Sequence, residues 1–430
     1  MANIAEFAAD YAHRDLSGLS DVDEAVKGAF LKDAKEYLGA VVSWLMPSSL
    51  PGRRGRRTRS LLSCLGSVLF DFAYVPKGRQ VTATVKALGW SRMVTSAAKR
   101  HLARAGALAG SFAEARETLK DLAAAEVSVT RVRTLTLEVG QKTLEAQENG
   151  TLPDLGGVTP PPTGTRTRGT QGHAFTPGTF VGETMVISVD GIGAPCTHAD
   201  TDGVKGKEEA EAGTRELKVA LVTVYTHVDQ KGKPLTRRAS TSYLVTYKSA
   251  GDLLPALRQE ALRRGYGHIR RVQFIGDGAD WIRNLWQQVF KDAILTLDFY
   301  HACEYLCVIC KEIFTETAAP EGFRLMKGKL KRYSGATLLR FLATEHAAAL
   351  SALSDKGKAA LHYLQTRTHF MNYGWLRREH YYIGSGSVES ACKFLVAARC
   401  KQAGMHWRHK NAAYIASIRA ALRSNRQIAA

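Results

Sequence analysis

The sequence has no apolar run long enough to cross a lipid bilayer. Its longest run, YLGAVVSWLM at 37–46, falls well short of the roughly 20 apolar residues that a membrane helix needs. The N-terminal stretch MANIAEFAADYAHRDL carries acidic residues and has no apolar core of the kind found in export signals. We therefore expect a cytoplasmic protein that neither enters nor binds a membrane.

Acidic residues are few compared with basic ones. The chain has 59 lysines and arginines against 40 aspartates and glutamates, a formal net charge of +19 at pH 7. Such a charge produces a positive field that attracts polyanions, of which nucleic acid is the commonest. An anionic membrane surface would be the competing partner, but no segment of the sequence suits it. The charge balance thus predicts a protein that binds nucleic acid.

Cysteine is scarce as well, and its spacing is irregular. The seven cysteines form no regular disulfide pattern, which favours a reducing compartment. Cys303, Cys307 and Cys310 lie at i, i+4 and i+7 of the predicted helix FYHACEYLCVICKEIF. A zinc site would need a second pair of ligands, which the neighbouring sequence lacks. We interpret the three as a stripe of a helix that packs in the core.

Proline is sparse outside one stretch. Residues 150–180 hold five of the chain's twelve prolines, with glycine and threonine filling much of the rest. This composition predicts a linker. The part before it, 1–149, reads as mainly helical, and we predict that it binds DNA.

An arginine cluster, RRGRRTR at 53–59, lies in this N-terminal part. Its members Arg53, Arg54, Arg56 and Arg57 form either a solvated basic loop or an arm that contacts DNA phosphates. The predicted nucleic-acid-binding residues include these four.

A candidate helix-turn-helix follows at 111–147. SFAEARETLKDLAA begins with a capping box, Ser111 followed three residues later by Glu114. The next segment, SVTRVRTLTLEVGQKTLEAQ, has apolar residues that fit helical spacing and also alternate like those of a strand. If it is helical, the pair would present residues 130–133 to DNA.

From residue 181 onward the pattern changes to α/β. Apolar segments predict strands in TMVISVDG, ELKVALVTVYTHVD, RASTSYLVTYKS, IRRVQFIGDG and AILTLDFY, and helices follow the third, fourth and fifth. The resulting order is β-β-β-α-β-α-β-α. Residues 181–314 are therefore predicted as an α/β region, 315–381 as mainly helical, and 382–430 as the region of the last helices.

Three carboxylates occupy similar places in these elements. Asp190 ends the first strand in VISVDGIG, Asp277 ends the fourth in QFIGDGAD, and Glu389 lies in the first turn of the helix in YIGSGSVESACK. Ligands of α/β sheets gather at the carboxyl ends of the strands, where adjacent glycines allow a close approach. If the first and fourth strands are neighbours, the two aspartates converge there.

Converging aspartates repel each other and need a compensating charge. Mg²⁺ prefers oxygen ligands, and two such ions roughly 3.5–4 Å apart catalyse phosphoryl transfer. A structural interpretation stays open for each residue taken alone, since Asp before Gly is common in turns and Glu in a first turn suits the helix dipole. The combination with the sheet order and the positive charge favours a metal-dependent enzyme acting on nucleic acid.

Five stretches of the sequence match a known family. VDGIGAP, GDGADWIRNLW, LDFYHACEYL, IGSGSVESACK and KQAGMHW follow one another between residues 185 and 425. Together with the element order they resemble an RNase H-like DDE transposase, and within that class the ISKra4 group of bacterial insertion-sequence transposases. DFYH is also similar to the Asp-x-x-His signature of Mutator-like transposases, which implies that Asp298 and His301 lie beside the active site.

The resemblance implies an α/β fold whose catalytic domain has an RNase H-like mixed sheet. In this interpretation 181–314 is the first part of the catalytic domain, 315–381 is a helical insertion, and 382–430 supplies the catalytic helix and a basic tail. The preceding region, 1–149, would be the mainly helical DNA-binding part.

The resemblance also implies roles for individual residues. Asp190, Asp277 and Glu389 would be both the catalytic residues and the ligands of two Mg²⁺ or Mn²⁺ ions. The family segment expected near DNA includes three further residues, namely Arg399, Lys401 and Trp407. A tryptophan packs equally well in a core, so that alternative stays open for Trp407.

The N-terminal part departs from the family. Many relatives carry a cysteine-rich, zinc-ribbon-like segment there, whereas RTRSLLSCLGSVLFDFAYVPKGR has only Cys64. We therefore expect no zinc site in this part, and the recognition of transposon ends must use other residues.

The expected function is that of a transposase: Mg²⁺-dependent cleavage of transposon ends, followed by strand transfer into target DNA. Its partners would be double-stranded DNA and further copies of the chain, as a dimer or higher oligomer, at the nucleoid in a bacterial cytoplasm. Two alternatives stay open, a hydrolysis-only RNase H-like nuclease and a non-catalytic DNA-binding protein derived from a transposase. A glycosidase using two of the carboxylates is disfavoured by the charge and by the lack of aromatic sugar platforms.

Overall fold

The computed structural model describes most of the chain, namely residues 19–46, 54–73, 93–123, 125–155, 179–205, 213–236 and 238–430. The chain divides into two compact units, Met1–Val139 with Ala429–Ala430, and Gly140–Ile428. The predicted phosphate contact Arg53 and positions 156–178 of the predicted linker lie outside the described residues.

The first unit combines helices with a β-hairpin. Its elements are α1 (Leu19–Leu45), β1 (Arg56–Ser63), β2 (Gly66–Ala73), α2 (Ser96–Leu108), α3 (Phe112–Ala123) and α4 (Val129–Glu148), the last of which continues into the second unit. Ser111 Oγ caps α3 by accepting a hydrogen bond from Glu114 N at 3.0 Å, and Glu114 Oε2 accepts one from Gly110 N at 2.8 Å. The predicted capping pair is thus present. Because α4 is helical throughout, the strand alternative for this segment is wrong.

The β1–β2 hairpin is an element that the helical interpretation of the N-terminal part did not include. Its strands are antiparallel, with Arg59 opposite Phe70. Phe70 and Phe72 are buried in one cluster with Val42 of α1. Buried residues therefore alternate along β2 with the period of two that a strand requires, and one face of the hairpin packs on the helix.

The described residues of the second unit form a mixed five-stranded sheet. Its strands are β3 (Thr179–Pro195), β4 (Thr214–Val228), β5 (Thr241–Thr246), β6 (Arg271–Gly276) and β7 (Ile294–Leu297). They lie in the order β5-β4-β3-β6-β7. The pairs β3–β4 and β4–β5 are antiparallel, whereas β6 is parallel to both β3 and β7. The first and fourth strands of the predicted order are therefore neighbours.

Helices connect these strands and make the fold mixed α/β. They are α5 (His198–Thr201), α6 (Ala250–Arg263), α7 (Asp280–Val289) and α8 (Phe299–Ile313). The predicted order of strands and helices is confirmed, with the single-turn α5 added between the first two strands. Residues 185–189 of β3 are at most 1% exposed. The centre of the sheet is thus covered on both faces, which explains the uninterrupted apolar run in this strand.

The first strand is longer than predicted. We expected it to end at Asp190, whereas β3 continues to Pro195. Residues 191–195 stay in the sheet because they pair with 214–218 of β4. The glycines at 191 and 193 resemble a turn in the sequence, but each lies within an antiparallel ladder.

Residues 315–381 contain a series of helices. They are α9 (Ala319–Arg332), α10 (Gly335–Glu345), α11 (Ala347–Ser351), α12 (Asp355–Gln365) and α13 (Tyr373–Arg378). These helices share a core with α8 that includes Cys303 and Cys310. Burial raises the pKa of both thiols to about 12. Cys303 and Cys310 are thus packing residues, as interpreted from their spacing, whereas Cys307 is only partly buried.

The C-terminal elements are α14 (Gly386–Cys392), a π-helical turn (Lys393–Ala397), α15 (Ala398–Cys400) and α16 (His409–Arg423). Helix α16 is buried along most of its length and packs on β5. Within the described parts of the chain, every helix is too short or too polar to span a membrane.

Candidate active site

Asp190 and Asp277 lie on neighbouring parallel strands. The register of β3 and β6 pairs Thr184 with Arg271 and Ser188 with Ile275. Continued by two residues, this register brings Asp277, the first residue after β6, level with Asp190. Neighbouring strands are about 4.8 Å apart. The structure therefore brings the two aspartates together at one end of the sheet.

The backbone turns sharply after Asp277. Gly278 has a φ of +83°, in the left-handed region that favours glycine. A Cβ at Gly278 would lie 2.6 Å from both Leu297 Cδ1 and the Tyr363 hydroxyl, so no side chain fits there. Asp277 Oδ1 accepts a hydrogen bond from Ala279 N at 2.8 Å. One oxygen of the carboxylate is thereby fixed at the start of α7.

Glu389 approaches the same region from α14. Its Oε1 accepts a hydrogen bond from Ser385 Oγ at 2.9 Å, and Ser385 N donates to Asp298 Oδ2 at 2.5 Å. Asp298 also caps α8, because its Oδ1 accepts from His301 N at 2.6 Å. With 2% exposure, Asp298 holds the loop before Glu389 in place and does not present its carboxylate to solvent.

Further hydrogen bonds attach this loop to the sheet. Asp298 N donates to Gly276 O at 2.7 Å, and Phe299 N donates to Ile383 O at 2.8 Å. The side chain of Gln273 in β6 donates to the backbone oxygen of the residue before Ile383 at 2.6 Å. The turn that precedes α14 is thereby placed beside the ends of β6 and β7, next to the two aspartates.

Electrostatic coupling joins the three carboxylates. Burial and the negative charges of Asp277 and Glu389 raise the pKa of Asp190 to about 6. The 2.7 Å hydrogen bond from Gly191 N to Asp190 Oδ1 acts in the opposite direction. On the other oxygen, the Cys392 thiol of α14 donates at 3.7 Å. Carboxylates that repel one another in a partly buried site favour binding of a proton or a cation.

The oxygens available at this site suit a hard divalent cation. One oxygen of each carboxylate is held by a hydrogen bond of 2.7–2.9 Å. Among the described residues, no hydrogen bond reaches Asp277 Oδ2 or Glu389 Oε2, and Asp190 Oδ2 meets only the weak thiol donor. Such carboxylate oxygens are the ligands that Mg²⁺ and Mn²⁺ prefer. As the described side chains stand, no three His, Cys, Asp or Glu groups enclose one ion position.

The helical region 315–381 contacts the Asp277 turn. The Tyr363 hydroxyl donates to Asp277 O at 2.6 Å, and Arg367 Nε donates to Gly278 O at 3.1 Å. The Tyr363 ring stacks on Tyr305 of α8 with centroids 3.7 Å apart, and the Arg367 guanidinium lies 3.9 Å from the Tyr363 centroid. The sequence did not indicate these residues, because the hydrogen bonds join positions 86 and 89 apart.

His301, the other predicted neighbour, lies in the same aromatic group. Its ring is 5.4 Å from that of Tyr305 and 6.0 Å from that of Tyr363. Its Nδ1 lies 3.3 Å from Glu304 Oε2. His301 is therefore beside the residues that contact the Asp277 turn.

The three C-terminal residues expected near DNA differ in exposure. Arg399 is 1% exposed, and its guanidinium lies 5.2 Å from the ring centroid of Trp407. Trp407 is half-buried, its Nε1 donates to Cys400 O at 3.1 Å, and its backbone N donates to Pro195 O at 3.0 Å. Lys401 is exposed. Trp407 thus ties this segment to the end of β3, Arg399 is buried beside its ring, and Lys401 is the member of this set that presents its charge to solvent.

The described arginines of the basic cluster lie in the first unit. Arg54, Arg56 and Arg57 are exposed, and Arg56 and Arg57 begin β1. Arg56 and Arg57 are therefore part of a strand, where a loop or an arm was expected. Their exposure leaves these side chains accessible to a phosphate backbone.

No protein-family model matches the chain, and no match to it is found among curated proteins. The functional assignment accordingly depends on the motifs and on the site geometry.

Proposed function

We propose that the protein is a DDE transposase of RNase H-like fold, in which Asp190, Asp277 and Glu389 bind divalent metal and carry out phosphoryl transfer on DNA. The observation that carries this assignment is the position of Asp277 level with Asp190 on parallel strands. Glu389 lies close enough to act on Asp190 electrostatically. The strand and helix order on which the family resemblance depends is also present.

The chain's own residues orient the acidic groups. The Gly278 turn and the Ala279 amide fix Asp277, Ser385 fixes one oxygen of Glu389, and Asp298 holds Ser385. In each of these carboxylates, one oxygen accepts a hydrogen bond from the protein, and the other oxygen can bind a ligand. Mg²⁺ or Mn²⁺ held by these three residues would activate the attacking hydroxyl or water and stabilise the leaving oxygen of the phosphate.

The basic charge of the chain fits double-stranded DNA as the substrate. A net charge of +19 supplies lysines and arginines that neutralise phosphates and position the duplex. Under this proposal the protein cleaves transposon ends and joins them to target DNA. It acts as a homo-oligomer at the bacterial nucleoid.

Replacement of Asp277 by Asn tests the assignment. The amide Oδ1 of Asp277→Asn can still accept from Ala279 N, so the turn is retained while one negative charge is lost. Cleavage and strand transfer should both fall by at least roughly 100-fold, since loss of even an outer partner of a metal ligand costs 10- to 100-fold. Binding of end-containing DNA should stay equal or tighten, because repulsion of phosphates decreases. The assay combines a gel shift with Mg²⁺-dependent cleavage of the same labelled duplex.

Asp280→Asn is the matched control. Asp280 lies three residues further along, its side chain is 74% exposed, and it pairs with Arg283 at 3.3 Å. The control removes the same charge from the same turn and should cleave at nearly the wild-type rate. Cleavage by Asp277→Asn at the rate of Asp280→Asn would remove Asp277 from the site and refute the proposed mechanism.

A further inference from the structure

An exposed aromatic side chain borders the candidate active site. Tyr300, the second residue of α8, is 60% exposed. A Cβ placed on Gly384 would lie 3.1 Å from Tyr300 Cε2 and 3.5 Å from Asp298 Oδ2. The tyrosine ring therefore lies against the turn that leads to Glu389. The neighbouring Phe299 is buried and contacts the Tyr300 ring edge-on, with centroids 5.5 Å apart.

A basic helix lies next to this ring. Lys327 Nζ of α9 is 5.8 Å from the Tyr300 centroid. Arg324 and Lys331, three residues before and four after Lys327, lie on the same face of α9 and are exposed. Within α9 the sole acidic residue is Glu321, which pairs with Arg324 at 2.5 Å. With Arg324, Lys327 and Lys331 against this single carboxylate, the face carries a net positive charge next to the Tyr300 ring.

Burial does not account for an aromatic ring at position 300. The core under the start of α8 is filled by Phe299, which is 2% exposed, and most of the Tyr300 side chain faces solvent. Exposed aromatic rings beside cationic side chains are typical of sites that bind unpaired nucleotides. Bases stack on the ring, and the cations contact the flanking phosphates.

We propose that Tyr300 and the α9 face of Arg324, Lys327 and Lys331 form a binding site for a single-stranded segment of DNA. One unpaired base stacks on Tyr300, and the phosphates beside it contact the three cations. The placement of this strand next to Glu389 depends on the proposed function, in which an opened DNA end enters the acidic site. The binding itself requires neither metal nor cleavage.

The test measures binding of a fluorescent single-stranded oligonucleotide to the full chain in the presence of EDTA. Tyr300→Ala should weaken binding about 5- to 150-fold, the range for loss of one stacked base. Tyr300→Phe keeps the ring and should bind like the wild type. A 2-aminopurine in the oligonucleotide should be quenched by the wild type and by Tyr300→Phe, and much less by Tyr300→Ala.

Tyr333→Ala is the matched control for loss of an exposed tyrosine. Tyr333 follows α9 and is 49% exposed. This variant should bind as tightly as the wild type. Thermal unfolding of all variants checks that each is folded, and Tyr300 has little buried surface to lose.

Three results would overturn this inference: no binding of single strands by the wild type, equal binding by Tyr300→Ala, or an equal loss in Tyr300→Phe and Tyr300→Ala. Each is distinct from failure of the proposed function, because cleavage plays no part in the measurement. If the Asp277→Asn variant still cleaved DNA, the Tyr300 site could nevertheless be present. Conversely, the chain could be a transposase and lack this site.

Discussion

Tyr363 is the residue of the helical region that bonds Asp277 itself, beside the contact of Arg367 with Gly278. Its hydroxyl donates to Asp277 O at 2.6 Å, while its ring is held between Tyr305 and Arg367. The backbone of Asp277 is thus fixed from outside the sheet, at the point where the chain turns through Gly278. We regard Tyr363 as a positioning residue for Asp277, since the contact is to the backbone and the carboxylate stays available.

Tyr363→Phe should slow cleavage with little effect on DNA binding. The variant keeps the aromatic stack and loses one hydrogen bond, a change of about 1 kcal/mol. If that bond positions Asp277 in the transition state, single-turnover cleavage should fall about fivefold or more. The DNA affinity should stay unchanged, because no cationic group is altered.

Tyr305→Phe is the control for Tyr363→Phe. Both substitutions remove a hydroxyl from the same stacked pair, but the hydroxyl of Tyr363 is the one that contacts the Asp277 turn. Equal cleavage rates in the two variants would show that the hydrogen bond has no positioning role. A parallel loss of thermal stability in Tyr363→Phe would indicate a structural contact instead.

The sequence indicated the acidic residues of the candidate site but not the residues that support them. Asp190 and Asp277 stood out because each follows a short apolar run and precedes a glycine. This pattern predicts a strand end, which is correct for Asp277 but not for Asp190, where β3 continues to Pro195. Cys392 and Tyr363 have no such local pattern. Their partners lie 202 and 86 positions away, and only the folded chain brings them together.

Among the elements, the strands of the second unit were predictable because they are continuous apolar runs. In the sequence, the convergence of the two aspartates depended on whether β3 and β6 are neighbours. The sequence could not show this, because strand order depends on tertiary contacts. The extension of β3 to Pro195 was missed because pairing with β4 overrides the turn preference of glycine. The β1–β2 hairpin was missed although the buried residues Val68, Phe70 and Phe72 follow one another at every second position of β2.

A buried charge cluster ties α6 to the C-terminal part of the chain. Glu260 Oε1 lies 2.5 Å from Arg263 Nη2, and its Oε2 lies 2.7 Å from Arg426 Nη2. Arg426 Nε in turn lies 3.0 Å from Asp154 Oδ1. Burial by itself would raise the pKa of Glu260, but the hydrogen bonds and charges of Arg263 and Arg426 hold it below its ordinary value of 4.5.

Glu260→Gln should destabilise the protein by about 3–5 kcal/mol near neutral pH, because buried arginines lose their partner. The folded-state pKa of Glu260 lies below its unfolded value of 4.5. Its charge therefore stabilises the fold above that pH, and this stabilisation is lost as the pH falls through the folded value. Thermal unfolding across this pH range should show the largest difference between variant and wild type at neutral pH, and a shrinking difference in acid.

Glu321→Gln is the control at an exposed pair. Its carboxylate contacts Arg324 on the surface of α9, with a side-chain exposure of 57%, so the melting temperature should change little at any pH. A difference between wild type and Glu260→Gln that stays constant across the pH range would contradict the assigned role of the Glu260 charge.

At the scale of the whole molecule, the excess of positive charge can be counted directly from the sequence. It does not say which of the 59 lysines and arginines would contact DNA under the proposed function. Burial removes some from consideration, as it does for Arg399 at 1% exposure. The first unit presents Arg54, Arg56 and Arg57 on or beside β1. Whether these residues act as phosphate contacts or as general surface charge is a question that salt dependence can answer.

Substitution of Arg53, Arg54, Arg56 and Arg57 by alanine should flatten the salt dependence of DNA binding. Each phosphate contact contributes about −0.9 to the slope of log K against log salt concentration, so four lost contacts would change the slope by about 3.6.

The control replaces four exposed cations of the second unit by alanine, namely Lys311, Arg340, Lys356 and Lys358. It lowers the net charge equally without touching the cluster. If charge alone governed binding, both variants would show the same slope. A slope flattened only in the arginine variant would assign phosphate contacts to the arginine cluster, whereas an unchanged slope in that variant would mean that the cluster faces solvent in the complex.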